Sequence, residues 1–158
     1  MTSTEEAASS ATETPGLGID MALEVVTVPV SDADRAKAFY ERIGWRLDAD
    51  IPISDDVRNM QFTPPHSGCS VHVGKGVTSM KPGSLDRVIL AVQDIDAARN
   101  DLVRRGVEIG EVYEQRPPGF ESAEGTSYFR FASFKDPDGN GWLLQEISTR
   151  LPGREWDD

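Results

Sequence analysis

Val30-Ser31-Asp32-Ala33-Asp34-Arg35-Ala36 is answered further along the chain by Val92-Gln93-Asp94-Ile95-Asp96-Ala97-Ala98, at a shift of about 62 positions. In each copy a β-branched run ends at an aspartate suited to cap a helix, and apolar residues then recur at helical spacing. Outward from this pair the shift holds, matching Leu23 with Leu85, Val26 with Val88, Val28 with Leu90, Tyr40 with Leu102 and Gly44 with Gly106. A period of this length marks a duplicated module rather than a solenoid turn or low complexity.

Leu23 to Val30 reads as a strand, Ala33 to Ile43 as a helix stopped by Gly44, and Trp45–Asp50, Val57–Thr63 and Ser70–Val73 as three further strands. The second copy repeats the order. Asp86–Val92 is a strand, Ile95 opens a helix ended by Gly106, and Val107–Tyr113, Tyr128–Phe134 and Trp142–Ile147 are strands. Asp136-Pro137-Asp138-Gly139-Asn140-Gly141 is dense in turn formers and joins the last two. The domain plan is a disordered tail over 1–20, a βαβββ module over 21–74, a linker over 75–84, a second βαβββ module over 85–149 and a C-terminal tail over 150–158. Equivalent helix positions (Ala33/Ile95, Ala36/Ala98, Tyr40/Leu102) are apolar, so each helix packs on one face of its sheet. The fold class is α+β: tandem βαβββ modules forming a curled mixed sheet, a cup, with the helices on its outer face.

The chain has 158 residues, one domain's worth, and its 38% apolar and 27% charged residues are those of an ordinary soluble protein with no membrane span. A formal charge of -11 opposes binding to nucleic acid or an anionic membrane. Cys69 is the only cysteine, which excludes an intrachain disulfide and suits a reducing cytoplasm. The first twenty residues lack the basic start and apolar stretch of a signal peptide.

Pro29-Val30-Ser31-Asp32-Ala33-Asp34-Arg35-Ala36-Lys37-Ala38-Phe39-Tyr40, together with Asp136-Pro137-Asp138-Gly139-Asn140, resembles the vicinal oxygen chelate superfamily of glyoxalases, bleomycin-resistance proteins and extradiol dioxygenases. The likeness runs from about Leu23 to Thr149, and Gly141–Glu146 with Arg150–Arg154 is similar to a glyoxalase-like bacterial subgroup. It implies the scaffold more than the reaction. Metal-binding members place His, Glu or Gln on the first and fourth strands of each module. Carried over, those positions fall on Val25, Arg87, Leu143 and about Ser70, a set unable to hold a divalent cation. The resemblance therefore implies a chain without the usual metal, and no cofactor is expected.

Strand alternation puts His72 and Gln145 on the same face as Ser70 and Leu143. His72 is either a polar contact with acid/base capacity or a histidine satisfied at a strand end. His72, Gln145 and Glu146 could alternatively form a displaced metal site. Arg87 must find a carboxylate, a phosphate or water, so it either binds a ligand's anionic group or pairs internally. The 136–141 turn mimics the opening of a calcium loop, but Ile147 stands where the closing glutamate belongs. The Glu114–Ser127 loop is long enough for a lid over a ring, through Phe120 or Tyr113. Trp45, Phe62, Phe129, Phe131 and Trp142 are mostly core, with one or two free to line a cavity, and Cys69 is an inert thiol.

These readings converge on a protein that binds a small organic molecule in the cup between its modules, a sequestration or resistance function. Val25, Thr27, Ile89 and Leu143 form the apolar lining, while Arg87, His72, Ser70 and Gln145 orient the ligand. The alternative is a lyase or isomerase of the glyoxalase kind with His72 as acid/base and Arg87 as electrostatic stabiliser, the metal-dependent form ranking below it. A third is a regulatory partner-binding domain. A homodimer is expected.

Overall fold

The structure, a computed structural model, describes residues 18–156. Most of the expected N-terminal tail lies outside those residues. The elements run β1 (Val25–Pro29), α1 (Ala33–Arg42), β2 (Arg46–Pro52), β3 (Arg58–Thr63), β4 (Ser70–Lys75), β5 (Val88–Val92), α2 (Ile95–Arg104), β6 (Tyr113–Glu114), β7 (Arg130–Lys135) and β8 (Gly141–Glu146). Both helices start the same way. The Asp32 carboxylate accepts the Arg35 N–H and the Asp94 carboxylate accepts the Ala97 N–H, each at 3.0 Å, satisfying an otherwise orphaned donor. Both also end the same way, because Gly44 and Gly106 adopt φ of 90° and 82°, which a side chain would resist.

The strands form two separate four-stranded mixed sheets, ordered β1-β4-β3-β2 and β5-β8-β7-β6. In each, the first strand pairs in parallel with the last, and the remaining pairs are antiparallel. This corrects the expected cup. Among the described residues no ladder joins the sheets and neither closes on itself, so they do not form one curled sheet enclosing a cavity. The physical reason lies in the side chains that unite the halves. Phe39 and Tyr40 of α1 reach Phe134 and Trp142 of the second sheet, at ring-centroid distances of 6.4 Å and 6.1 Å. The helix-covered faces of both sheets thus share one core, with Val28, Met60, Phe62, Ile95, Ala132 and Leu144. Each helix buries its apolar side in this common core and exposes its other side, so the helices flank the sheets as expected, and the opposite sheet faces point away from the core.

Polar contacts reinforce this joint. The Tyr40 hydroxyl donates to Asp136 Oδ2 at 2.8 Å and accepts from Trp142 Nε1 at 3.0 Å. Asn140 Nδ2 donates both to Asp136 Oδ2 and to the Pro29 carbonyl, each at 2.8 Å. Asp138 accepts the Ser31 amide and lies 3.3 Å from Arg35. The 136–141 turn is therefore a fastener between the halves. Asp136 Oδ1 accepts the amides of Asp138 and Asn140, and the backbone bonds Gly139 N–H to Asp136 O and Asp136 N–H to Asn140 O complete the turn.

The sixth strand is shorter than its sequence suggests. Over Val107–Tyr113 only one isolated bridge forms, Ile109 with Phe134, before β6 itself.

Candidate functional site

The open face of the second sheet carries the larger share of apolar side chains. Ile89 stands opposite Leu143, Ala91 opposite Gln145, and Phe131 opposite Gln145 on its other side. Cross-strand partners share a face, so Ile89, Ala91, Phe131, Leu143 and Gln145 form one surface. Leu143 and Phe131 are buried, while Ile89 is 44% exposed.

The segment between β6 and β7 folds over this surface as an ordered wall. Its Pro117-Pro118-Gly119 turn closes with the Phe120 amide donating to the Pro117 carbonyl at 3.0 Å. Arg116 is the organiser. Its guanidinium donates to the Ala123 and Gly125 carbonyls at 2.7 Å each, lies 3.2 Å from Glu114, and sits 4.5 Å over the Phe129 ring. Phe120 then approaches Phe129, centroid to centroid at 6.1 Å. Tyr128 holds φ of 75°, a costly conformation for an aromatic residue. Its amide donates to the Glu146 carbonyl at 2.7 Å and its carbonyl accepts Gln145 Nε2 at 3.0 Å, which together hold that backbone in place. Its hydroxyl accepts the Leu151 amide at 3.1 Å and draws the C-terminal segment against the opposite side. Beyond it, Trp156 donates to the Ile147 carbonyl at 2.8 Å beneath the Arg150 guanidinium. The result is a pocket of about 650 Å³ lined by Ile89, Phe120, Phe129, Phe131, Gln145 and Leu151, with Arg87 and Arg116 at its border.

Arg87 does not lie on a strand. It precedes β5 with φ of 60°, is exposed, and borders this pocket and a second cavity. Ile89 and Gln145 line the pocket, and Leu143 lines the second cavity.

The four sites from the first module lie elsewhere. Val25 pairs with Ser70 and Thr27 with His72 on the open face of the first sheet, and none lines either cavity. That face is polar. His72 Nε2 lies 3.2 Å from Gln61 Oε1, and Ser70 bonds Thr63, whose hydroxyl also donates to Asp48. Hydrogen bonds from Arg46 and then Thr63 hold the Asp48 carboxyl below its usual range. His72 lies on the first sheet and Arg87 just before the second, and neither cavity brings them together.

The registers also correct one alignment. Val26 pairs with Val71 and Val88 with Trp142, so His72 rather than Ser70 corresponds to Leu143. One imidazole beside valine, arginine and leucine still does not fit a divalent metal. Among the described residues no three His, Cys, Asp or Glu side chains converge as ligands. Glu146 points away from Gln145. It is buried, accepting the Ile95 amide and the Thr126 hydroxyl and facing Arg130, so it joins neither His72 nor Gln145. Burial pushes the Cys69 thiol up, away from thiolate reactivity.

Sequence reasoning missed Arg116, Tyr128 and Leu151. Arg116 acts through carbonyls of its own loop, and such contacts leave no periodic trace. Phe129 faces the pocket, an option the aromatic residues left open.

The family described as Glyoxalase/Bleomycin resistance protein/Dioxygenase superfamily matches residues 22–144. Among solved structures the chain is similar to TnmS3, an antibiotic binding protein from Streptomyces sp. CB03234, at 33% identity and a TM-score of 0.66, covering 84% of this chain and 100% of that one. A glyoxalase/bleomycin resistance protein from the same Streptomyces strain is 33% identical, with a TM-score of 0.62 over 79% of this chain and 100% of that one. A superfamily member from Sphaerobacter thermophilus DSM 20745 is 27% identical, with a TM-score of 0.63 over 80% and 98%. No curated protein matches the chain.

Proposed function

The chain belongs to the glyoxalase/bleomycin resistance protein/dioxygenase superfamily, and from that premise we propose that it sequesters a small aromatic molecule in the pocket on its second sheet. The observation that carries this reading is the lining. Phe120, Phe129 and Phe131 surround a pocket of about 650 Å³, a size that suits a small organic ligand. Aromatic faces bind planar rings by offset stacking, and Gln145 and Arg87 supply a few orienting polar groups. Binding of this kind needs affinity and no developing charge to stabilise, so the reading requires no metal and no proton-transfer pair. The likeness to an antibiotic binding protein supports the same class of function.

A homodimer belongs to the proposal. Ile89, Tyr113, Phe120 and Leu151 are 44% to 58% exposed beside the pocket, an apolar surface that a second copy could cover. Light scattering of the purified protein tests it, and a monomer at all concentrations removes this part.

The test of binding is a fluorescence titration with the uncharged dye phenylnaphthylamine. Phe129→Ala and Phe120→Ala should each weaken binding about tenfold, the worth of one stacked ring. His72→Ala should leave it unchanged, and the dye should be recovered intact. Binding indifferent to both phenylalanines refutes the assignment. Loss through His72 alone, or chemical conversion of ligands, turns it toward the lyase or isomerase alternative.

A further inference from the structure

The second cavity, about 750 Å³, lies outside the pocket just assigned, where the C-terminal end of α1, the Gly106 turn after α2 and the β7–β8 turn meet. Its floor is apolar, from Phe39, Val107, Phe134 and Trp142, and its border carries Arg42, Arg87 and Lys135.

Those three cations have no carboxylate partner, a state shared among the described residues by Lys75, Lys81, Arg150 and Arg154 but gathered here at one groove. The formal charge is -11, and acids neutralise most of the guanidinium groups. Arg35, Arg46, Arg58, Arg99, Arg104, Arg105, Arg116 and Arg130 each lie within 3.4 Å of a carboxylate oxygen. Among the described residues, Arg42, Arg87 and Lys135 make no such pair, yet they come from three separate segments to border one groove. Arg42 is steadied over the Phe39 ring at 5.6 Å. The acids of the lining are Asp86, Glu108 and Asp136. Asp136 is already occupied by Tyr40, Asn140 and two backbone amides. The formal charges of the lining balance, but over the apolar floor Arg42, Arg87 and Lys135 keep charge-assisted donors free for an anion with a hydrophobic body.

We propose that this groove is a second binding site, for an organic anion. An aromatic or alicyclic body lies on the Phe39–Phe134 floor, and its sulfonate, carboxylate or phosphate is held by Arg42, Arg87 and Lys135. The groove is a separate cavity from the aromatic pocket, with Arg87 on the border of both.

Two dyes of the same shape separate the two sites: anilinonaphthalene sulfonate and the uncharged phenylnaphthylamine. The sulfonate should bind the wild type more weakly as salt is raised. The double variant Arg42→Gln/Lys135→Gln should lower its affinity about tenfold, the combined worth of two partly exposed charge contacts. Arg42→Lys/Lys135→Arg, which keeps both charges, should restore it. Phe129→Ala should leave sulfonate binding within a factor of about two, while the uncharged dye follows the opposite pattern. Thermal melts confirm that each variant is folded. Sulfonate binding insensitive to the charge-removing pair, or abolished by Phe129→Ala, overturns the proposal. So does displacement of the dye by inorganic phosphate at equal concentration, because the floor would then contribute nothing.

Discussion

Replacing Tyr40 with phenylalanine removes a single oxygen from the joint between the two halves. In the native structure that oxygen gives Asp136 one of its four hydrogen-bond donors and supplies the acceptor for Trp142 Nε1. Tyr40 is 0% and Trp142 1% exposed, so water cannot replace either contact without opening the core. A charge-assisted bond to the carboxylate and an orphaned indole N–H together should cost about 3 kcal/mol. That corresponds to a fall in Tm of roughly 6–12 °C for a chain of this length. Urea unfolding followed by tryptophan fluorescence measures it directly. A cycle with Trp142→Phe should be non-additive, since both variants break the same bond. The pH dependence sharpens the test. Burial, and next the Asp136 charge, push the Tyr40 phenol well above its ordinary value. A group raised by folding contributes fully below its unfolded pKa and loses that contribution as pH rises. The gap between wild type and Tyr40→Phe should therefore be constant near neutrality and shrink above about pH 10. A loss below about 1 kcal/mol, or strict additivity with Trp142→Phe, would refute the idea that this bond joins the halves.

Two further outcomes follow from side chains away from that joint. Hydrogen bonds from Arg58, with Lys37 adding to them, lower the Asp50 carboxyl to about 2. Its stabilisation should be complete above about pH 4 and lost as the pH falls toward 2, worth about 1 kcal/mol after solvent screening. Asp50→Asn should flatten that acid limb of a Tm-against-pH curve, and an unchanged limb counts against the pairing. Arg116→Ala should free the wall over the pocket, so that limited proteolysis cuts between 117 and 125 at least several-fold faster than in wild type. Cleavage at the wild-type rate would mean that the prolines alone hold the loop.

Much of the fold was legible because its signals are local. Asp32 and Asp94 announce helix starts, and Gly44 and Gly106 announce stops, through chemistry that depends on only a few neighbouring residues. The enclosure was not legible. Whether two sheets close on each other depends on long-range packing, here on Tyr40 reaching Trp142, and neither residue reports that in its own neighbourhood. The candidate pocket was anticipated only in part. Strand periodicity put Ile89 and Gln145 on the face it occupies, whereas Arg87, expected on a strand, borders it from the segment before β5. His72 was two positions from its assumed equivalence, because Pro64-Pro65 replaces the turn that sets the register in the second copy. The wall residues escaped because a guanidinium bonded to carbonyls of its own loop follows no pattern.

The absence of any ladder between the sheets among the described residues makes the joint an association between two folded bodies. Every strand pair would survive a break in the backbone between Thr78 and Lys81, since each sheet is built wholly from one side of that break. What would be severed is covalent continuity, with the Gly83 amide still free to reach the Pro29 carbonyl. Such a molecule should behave as a complementation pair. Its two fragments would reassemble with a measurable dissociation constant, and the Tyr40–Trp142 contact would then set an affinity instead of a melting temperature.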